Sequence, residues 1–330
     1  MRWHGVLLAA FALAAVSPMS DAQPPGKLPK VGYLSVVTSA EGAPGLDVFR
    51  GALAALGYRE GRTIAIDVRF AEHKQERLAA LSAELVSESK VDVLVIAGCG
   101  KPIMDAARRA SRTIPLVSTL CGDLPGFMGE VARLVKPGGN TTGQTMFSPE
   151  VAAKRLELLK ELLPTLSAVA VLWNPGSEGW EPYWQALRPA AAALGIALQS
   201  VEVRSEAGFA AAFEQLERGK AGALLTFLDE LLWIGRKRVI GFASQRRLPA
   251  AYDVAGYADE GGLLAYEPDF AEMARGAARQ VDKILKGVRP GDIPIERAAK
   301  FRLVVNLNAA KAQGLTIPRS IPLRAGQVIE

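Results

Sequence analysis

Histidine and cysteine are scarce: the 330 residues hold two of each, His4 and His73, Cys99 and Cys121. A zinc site wants several His, Cys or carboxylate ligands, and a Ser-His-Asp relay wants a histidine beside its nucleophile, so both are poorly supplied. The nucleophile elbow G-x-S-x-G is absent as well, which argues against a secreted α/β hydrolase. His73 lies in the polar stretch AEHKQERL and is expected to be solvated. Long apolar runs are missing after Val6–Val16, which as a helix would rise only about 16 Å, roughly half a bilayer. Charge of one sign is missing too: Lys and Arg number 39 against 34 Asp and Glu, a net charge of +5. The basic group Arg236, Lys237, Arg238, Arg246 and Arg247 is interleaved with apolar residues and reads as a solvated helix face, so no nucleic-acid partner is expected.

The glycine-rich stretch VIAGCGKPIMDAARR, residues 95–109, lacks what a phosphate cradle needs. Val95 stands where the first glycine of a P-loop belongs, and Pro102 replaces the hydroxyl that would ligate magnesium. Met104 and Asp105 follow where a dinucleotide fingerprint wants its third glycine. A strand-to-helix turn with its amides directed into a crevice is what is left. No cofactor, metal or catalytic residue is expected, and the protein is not read as an enzyme.

What is present begins at the N-terminus. Arg2 is followed by the apolar run and then by Ser20-Asp21-Ala22, small residues at the positions a signal peptidase reads. Residues 1–22 are therefore expected to be a signal peptide cleaved before Gln23. No cysteine follows the run, so a free periplasmic protein is expected rather than a lipid-anchored one.

Beyond it, strand and helix patterns alternate: KVGYLSV, LDVFRGALAALG, TIAIDVRF, QERLAALSAELV, VDVLVIAG, KPIMDAARRAS, IPLVST. After GGNTTGQTMFSPE the alternation starts again and runs from VAAKRLELLKELLP to LPAAYD. Helix, Leu-Gly, strand recurs at Leu56 and Leu194, and a proline opens the last strand of each half at Pro115 and Pro249, at nearly equal offsets. This predicts an α/β protein of two Rossmann-like lobes with parallel sheets. The expected division is 28–145 plus 258–288 for lobe 1 and 146–257 plus 289–330 for lobe 2, with three chain crossings forming a hinge.

The order VGYLS, LGYREGRTIAIDVRFAE, VDVLVIAG, TIPLV, VKPGGNTTG, KRLELLKELLP, VAVLWNP, RLPAAY, EGGLLAYEPD, VDKILKG and the final AAKAQGLTIP resembles the ABC transporter substrate-binding protein family of type I periplasmic-binding fold. Its better-studied members resemble tryptophan and aromatic amino-acid receptors. The resemblance spans nearly all of residues 28–330. Family members usually carry a small-residue-Thr-Pro turn after the third strand and Gly-Asp-Pro after the fourth. This chain has Gly98-Cys99-Gly100-Lys101-Pro102 and Cys121-Gly122-Asp123-Leu124-Pro125 instead.

In open parallel sheets ligands bind beyond the carboxyl ends of the strands. Those ends give the candidate ligand contacts Ser35, Cys99, Gly100, Gly122, Asp123, Asn174, Trp180, Asp229 and Tyr257. Ser35, Gly100 and Gly122 suit a carboxylate, and Asp123 or Asp229 suits an ammonium. Trp180, Tyr257 or Phe127 would wall an apolar side chain, Trp184 and Trp233 could share an aromatic wall, and Lys101 after its glycine turn could face a ligand carboxylate. Each has a plainer alternative: Asp123 and Asp229 as helix caps, Asn174 before Pro175 as a turn starter, Trp180, Trp184 and Trp233 as core, Lys101 as a solvated lysine. Cys99 and Cys121 end consecutive strands and are a candidate disulfide, or two free thiols.

The resemblance implies capture of a small amino-acid-like solute between the lobes of a monomer, followed by docking on an ABC permease in the inner membrane. A sensor subunit that presents its ligand state to a membrane kinase would share the same cleft.

Overall fold

A computed structural model describes residues 28–98, 100–121, 134–146, 148–177, 180–227 and 229–330. The expected signal peptide lies outside these residues. Among the described residues no helix is long and apolar enough to cross a membrane.

Thirteen strands are described: β1 Lys30–Ser35, β2 Ala65–Phe70, β3 Val93–Ala97, β4 Leu116–Cys121, β5 Thr141–Thr145, β6 Ala168–Trp173, β7 Ala197–Glu202, β8 Ala223–Thr226, β9 Ala250–Tyr252, β10 Leu264–Pro268, β11 Glu296–Arg297, β12 Phe301–Asn306 and β13 Gln327–Ile329. They form a six-stranded sheet, β11-β5-β4-β3-β1-β2, and a seven-stranded sheet, β13-β12-β10-β9-β8-β6-β7. Every pairing is parallel except β10 with β12.

The apolar runs explain the layers. In β3 the residues Leu94 and Ile96 face one core layer while Val93, Val95 and Ala97 face the other. In β6 Val169 and Val171 point to one side, Ala170 and Leu172 to the other. Successive side chains of a strand point to opposite faces, so a strand covered by helices on both sides reads as an unbroken apolar run.

The C-terminal part of the chain divides between the sheets differently from the expected boundaries. Strand β10 stays in the seven-stranded sheet, parallel to β9 and antiparallel to β12, because Leu264 and Ala265 fill that lobe's two core layers. Only then does the helix Phe270–Leu285 cross to the first lobe, burying Ala274, Ala277, Ala278 and Val281 against Val31, Phe49 and Val95. Strand β11 pairs with β5 in the first lobe, and β12 returns to the second. The crossings are thus three: after β5, after β10 and after β11.

The first helix also differs from expectation. It starts at Ser39 rather than near Leu46, since Thr38 and Glu41 form a capping box that holds the first turn despite Pro44. This earlier start carries Glu41 to the interlobe space.

Candidate functional site

Between the two sheets, at the carboxyl ends of their strands, lies a cleft of about 440 Å³. Its size falls within the range of small-molecule sites, roughly 300–1,000 Å³. The first lobe contributes Tyr33, Ser35, Val48, His73, Gly98 and Leu120, and the second contributes Asp229, Glu230, Trp233 and Val254. Asp269, Phe270 and Arg302 reach it from the crossing segments.

The loop after β2 is built to present a side chain there. The amides of Ala71, Glu72 and His73 donate to the carbonyls of Ser35, Val37 and Val36, which prolongs the β1–β2 pairing. Glu72 and His73 both adopt φ 57°, a left-handed conformation uncommon for non-glycine residues. Nε2 of His73 then lies 2.6 Å from Oε2 of Glu41. The expectation of a solvated histidine is corrected: the imidazole is 20% exposed and sits between carboxylates. Burial works to raise the Glu41 pKa, but hydrogen bonds from the Thr38 amide and hydroxyl, and the contact with His73, hold it below the ordinary carboxylate value.

On the facing wall, Trp233 turns one face to the guanidinium of Arg236, 4.1 Å from ring centroid to Cζ, and meets Tyr257 edge-on. Arg236 also pairs with Glu260 at 2.8 Å. Behind this wall, burial pushes the Asp253 carboxyl upward, and Arg155 beside it opposes the shift.

The expected contacts separate into groups. Ser35 and Asp229 line the cleft. Asp229 is at the same time a helix cap: Oδ1 accepts from the amides of Leu231 and Leu232, and the carboxylate also accepts from Ser177 Oγ and Asn174 Nδ2. Asn174 closes a local turn, its Oδ1 accepting from the Gly176 amide at 2.8 Å, as an Asn-Pro turn starter does. Gly100 precedes the helix Lys101–Ala110, and it is Gly98 that borders the cleft. Lys101 pairs with Asp105 at the surface.

Two of the expected aromatic contacts lie apart from the cleft lining. Trp180 stacks on Phe227 with ring centroids 5.3 Å apart, among Tyr183 and Trp184, away from the cleft lining. Tyr257 is 1% exposed and stacks on Tyr252, because its helix packs inward against the seven-stranded sheet. Cys99, Gly122, Asp123 and Phe127 lie outside the described residues, and so does the Cys99–Cys121 pairing; β3 and β4, the strands leading to these cysteines, are neighbours.

Sequence reasoning missed Glu41 and Phe270, reached Glu230 only as the end of a strand-end segment, and left Trp233 open between pocket wall and core. The Thr38-Ser-Ala-Glu41 capping box was a signal for the first. Nothing in the local pattern marks the others, which meet only when the lobes face each other. Among the described residues no group of three or more His, Cys, Asp or Glu is placed to hold a metal.

The family model for ABC transporter substrate binding proteins matches residues 42–329. A tyrosine-binding protein of Clostridioides difficile (strain R20291) is 25% identical over 261 residues, 79% of this chain and 74% of that protein. The crystal structure of an ABC domain in complex with L-Trp from Streptococcus pneumonia is 25% identical, with a TM-score of 0.78, covering 91% of this chain and 99% of the other. A conserved domain protein from Vibrio cholerae is 28% identical, also with a TM-score of 0.78, covering 92% and 100%. The two-sheet architecture is that of type I periplasmic-binding proteins. The chain belongs to the ABC transporter substrate binding protein family.

Proposed function

We propose that the protein is the extracytoplasmic solute receptor of an ABC importer and captures an aromatic amino acid between its lobes. The observation that carries this reading is the cleft lining, in which Tyr33, Val48, Trp233 and Phe270 offer apolar and aromatic surface beside a few charged groups. Aromatic walls suit a flat apolar side chain. Glu41, Asp229, Glu230 and Asp269 suit an ammonium, and Arg302 with the amides that start the helix Phe270–Leu285 suits a carboxylate. The tyrosine and L-Trp named for the relatives point to the same class.

The apolar run Val6–Val16 and the small residues up to Ala22 support export to the periplasm, and the closed receptor would then dock on an inner-membrane permease. Native mass spectrometry of protein purified without denaturation tests the reading. An aromatic amino acid released on dissociation supports it, and a retained sugar or peptide refutes it.

A further inference from the structure

Two buried polar atoms face each other across the cleft, each without a hydrogen-bond partner among the described residues: Nδ1 of His73 from the first lobe and Oε1 of Glu230 from the second, 3.9 Å apart. The other ring nitrogen of His73, Nε2, is 2.6 Å from Glu41 Oε2. Glu41 is held ionised, as its lowered pKa reflects, and an ionised carboxylate only accepts. A neutral imidazole must therefore keep its one proton on Nε2 and turn the lone pair of Nδ1 toward Glu230, acceptor against acceptor. The imidazolium alone supplies an N–H to both carboxylates.

The surroundings join the lobes at the same place. Gln75 Nε2 donates to Glu230 Oε2 at 2.8 Å, and Arg236 Nη2 lies 3.7 Å from Glu41 Oε1. Both contacts run between lobes. Among the described residues, the charged groups against the imidazole are Glu41 on the helix Ser39–Ala55 and Glu230 on Glu230–Ile234, with Arg236 on Arg236–Gln245 beside Glu41 and Asp229, Asp269 and Arg302 lining the same cleft. Carboxylic acids ordinarily titrate near pH 4 and arginine above pH 12, whereas histidine changes charge between about pH 5 and 8.

We propose that His73 is a positioning residue that couples protonation to lobe closure. Protonated, it bridges Glu41 and Glu230 and holds the lobes together. Neutral, it sets two acceptors against each other and loosens them. Closure then takes up a proton, and acidification favours the closed form. The inference rests on the two-lobe receptor reading, but it is tested without ligand and so fails or stands apart from the identity of the solute.

The experiment is small-angle scattering of the ligand-free full chain at pH 5.5 and 8.0, with His73→Gln and Glu230→Gln alongside. The expected result is a smaller radius of gyration at pH 5.5 in the wild type, reflecting a shift of about fivefold toward the closed form, the scale of one half-buried ion pair. Both variants should lose the response. A wild-type radius indifferent to pH, or a response that persists in His73→Gln or in Glu230→Gln, overturns the proposal.

Discussion

Glu267 and Arg302 stand opposite each other in the antiparallel β10–β12 ladder, with Nε of Arg302 donating to Oε1 of Glu267 at 3.1 Å. The second oxygen of Glu267 accepts from the Ala255 amide at 2.6 Å. Strand β10 leaves the second lobe just beyond this pair and β12 re-enters it just before, so the pair sits at the root of two of the three crossings.

Burial raises the Glu267 pKa above the usual carboxylate value, against the Ala255 amide and Arg302. A carboxyl raised in the folded state favours folding most below its unfolded pKa of about 4.3, and that advantage is lost as pH rises through the folded value. The melting temperature of wild type minus that of Glu267→Gln should therefore fall as pH rises across that window. Calorimetric melts in a pH series check this, and a difference that grows with pH contradicts it.

Thr38→Ala should cost about 1 kcal/mol of stability at neutral pH by removing the cap of the first helix. The Glu41 pKa is lowered, so its contribution is present above the unfolded carboxyl pKa and lost as pH falls through the folded value. Denaturant titrations should thus show the Thr38→Ala penalty shrinking in acid.

Gly143→Ala should destabilise by about 3 kcal/mol or more. A Cβ at this position, where φ is +150°, would meet the backbone oxygen of Ser118 at 2.2 Å, and backbone in a paired strand cannot swing aside as a side-chain tip can. Urea unfolding of the variant measures the loss.

Trp233→Ala should weaken binding of L-tyrosine or L-tryptophan about thirtyfold, the scale of a central aromatic contact worth ~2 kcal/mol. Trp180→Phe should leave affinity within about twofold, because that ring packs on Phe227 rather than in the cleft. Equilibrium dialysis of the two variants separates these positions.

The contrast between these tryptophans shows how far the sequence can be read. Strands such as VLVIA at 93–97 announce themselves because burial on both faces leaves a continuous apolar run. The Asp229 cap follows from its place between a strand end and a helix start. Which lobe holds β10 does not follow, since Leu264–Pro268 would fit either sheet by composition and only its pairing with β9 and β12 decides. Nor does a helical pattern tell which tryptophan faces the cleft. Glu41, His73 and Glu230 are far apart in the chain, and their meeting depends on how the two lobes approach.

Calorimetric titration of L-tyrosine and L-tryptophan into the full chain tests solute capture most directly. One-to-one binding of at least one of them, weakened by Trp233→Ala, is the predicted result. No binding of either, or equal affinity in wild type and Trp233→Ala, would contradict the assignment of the interlobe cleft as an aromatic amino-acid site.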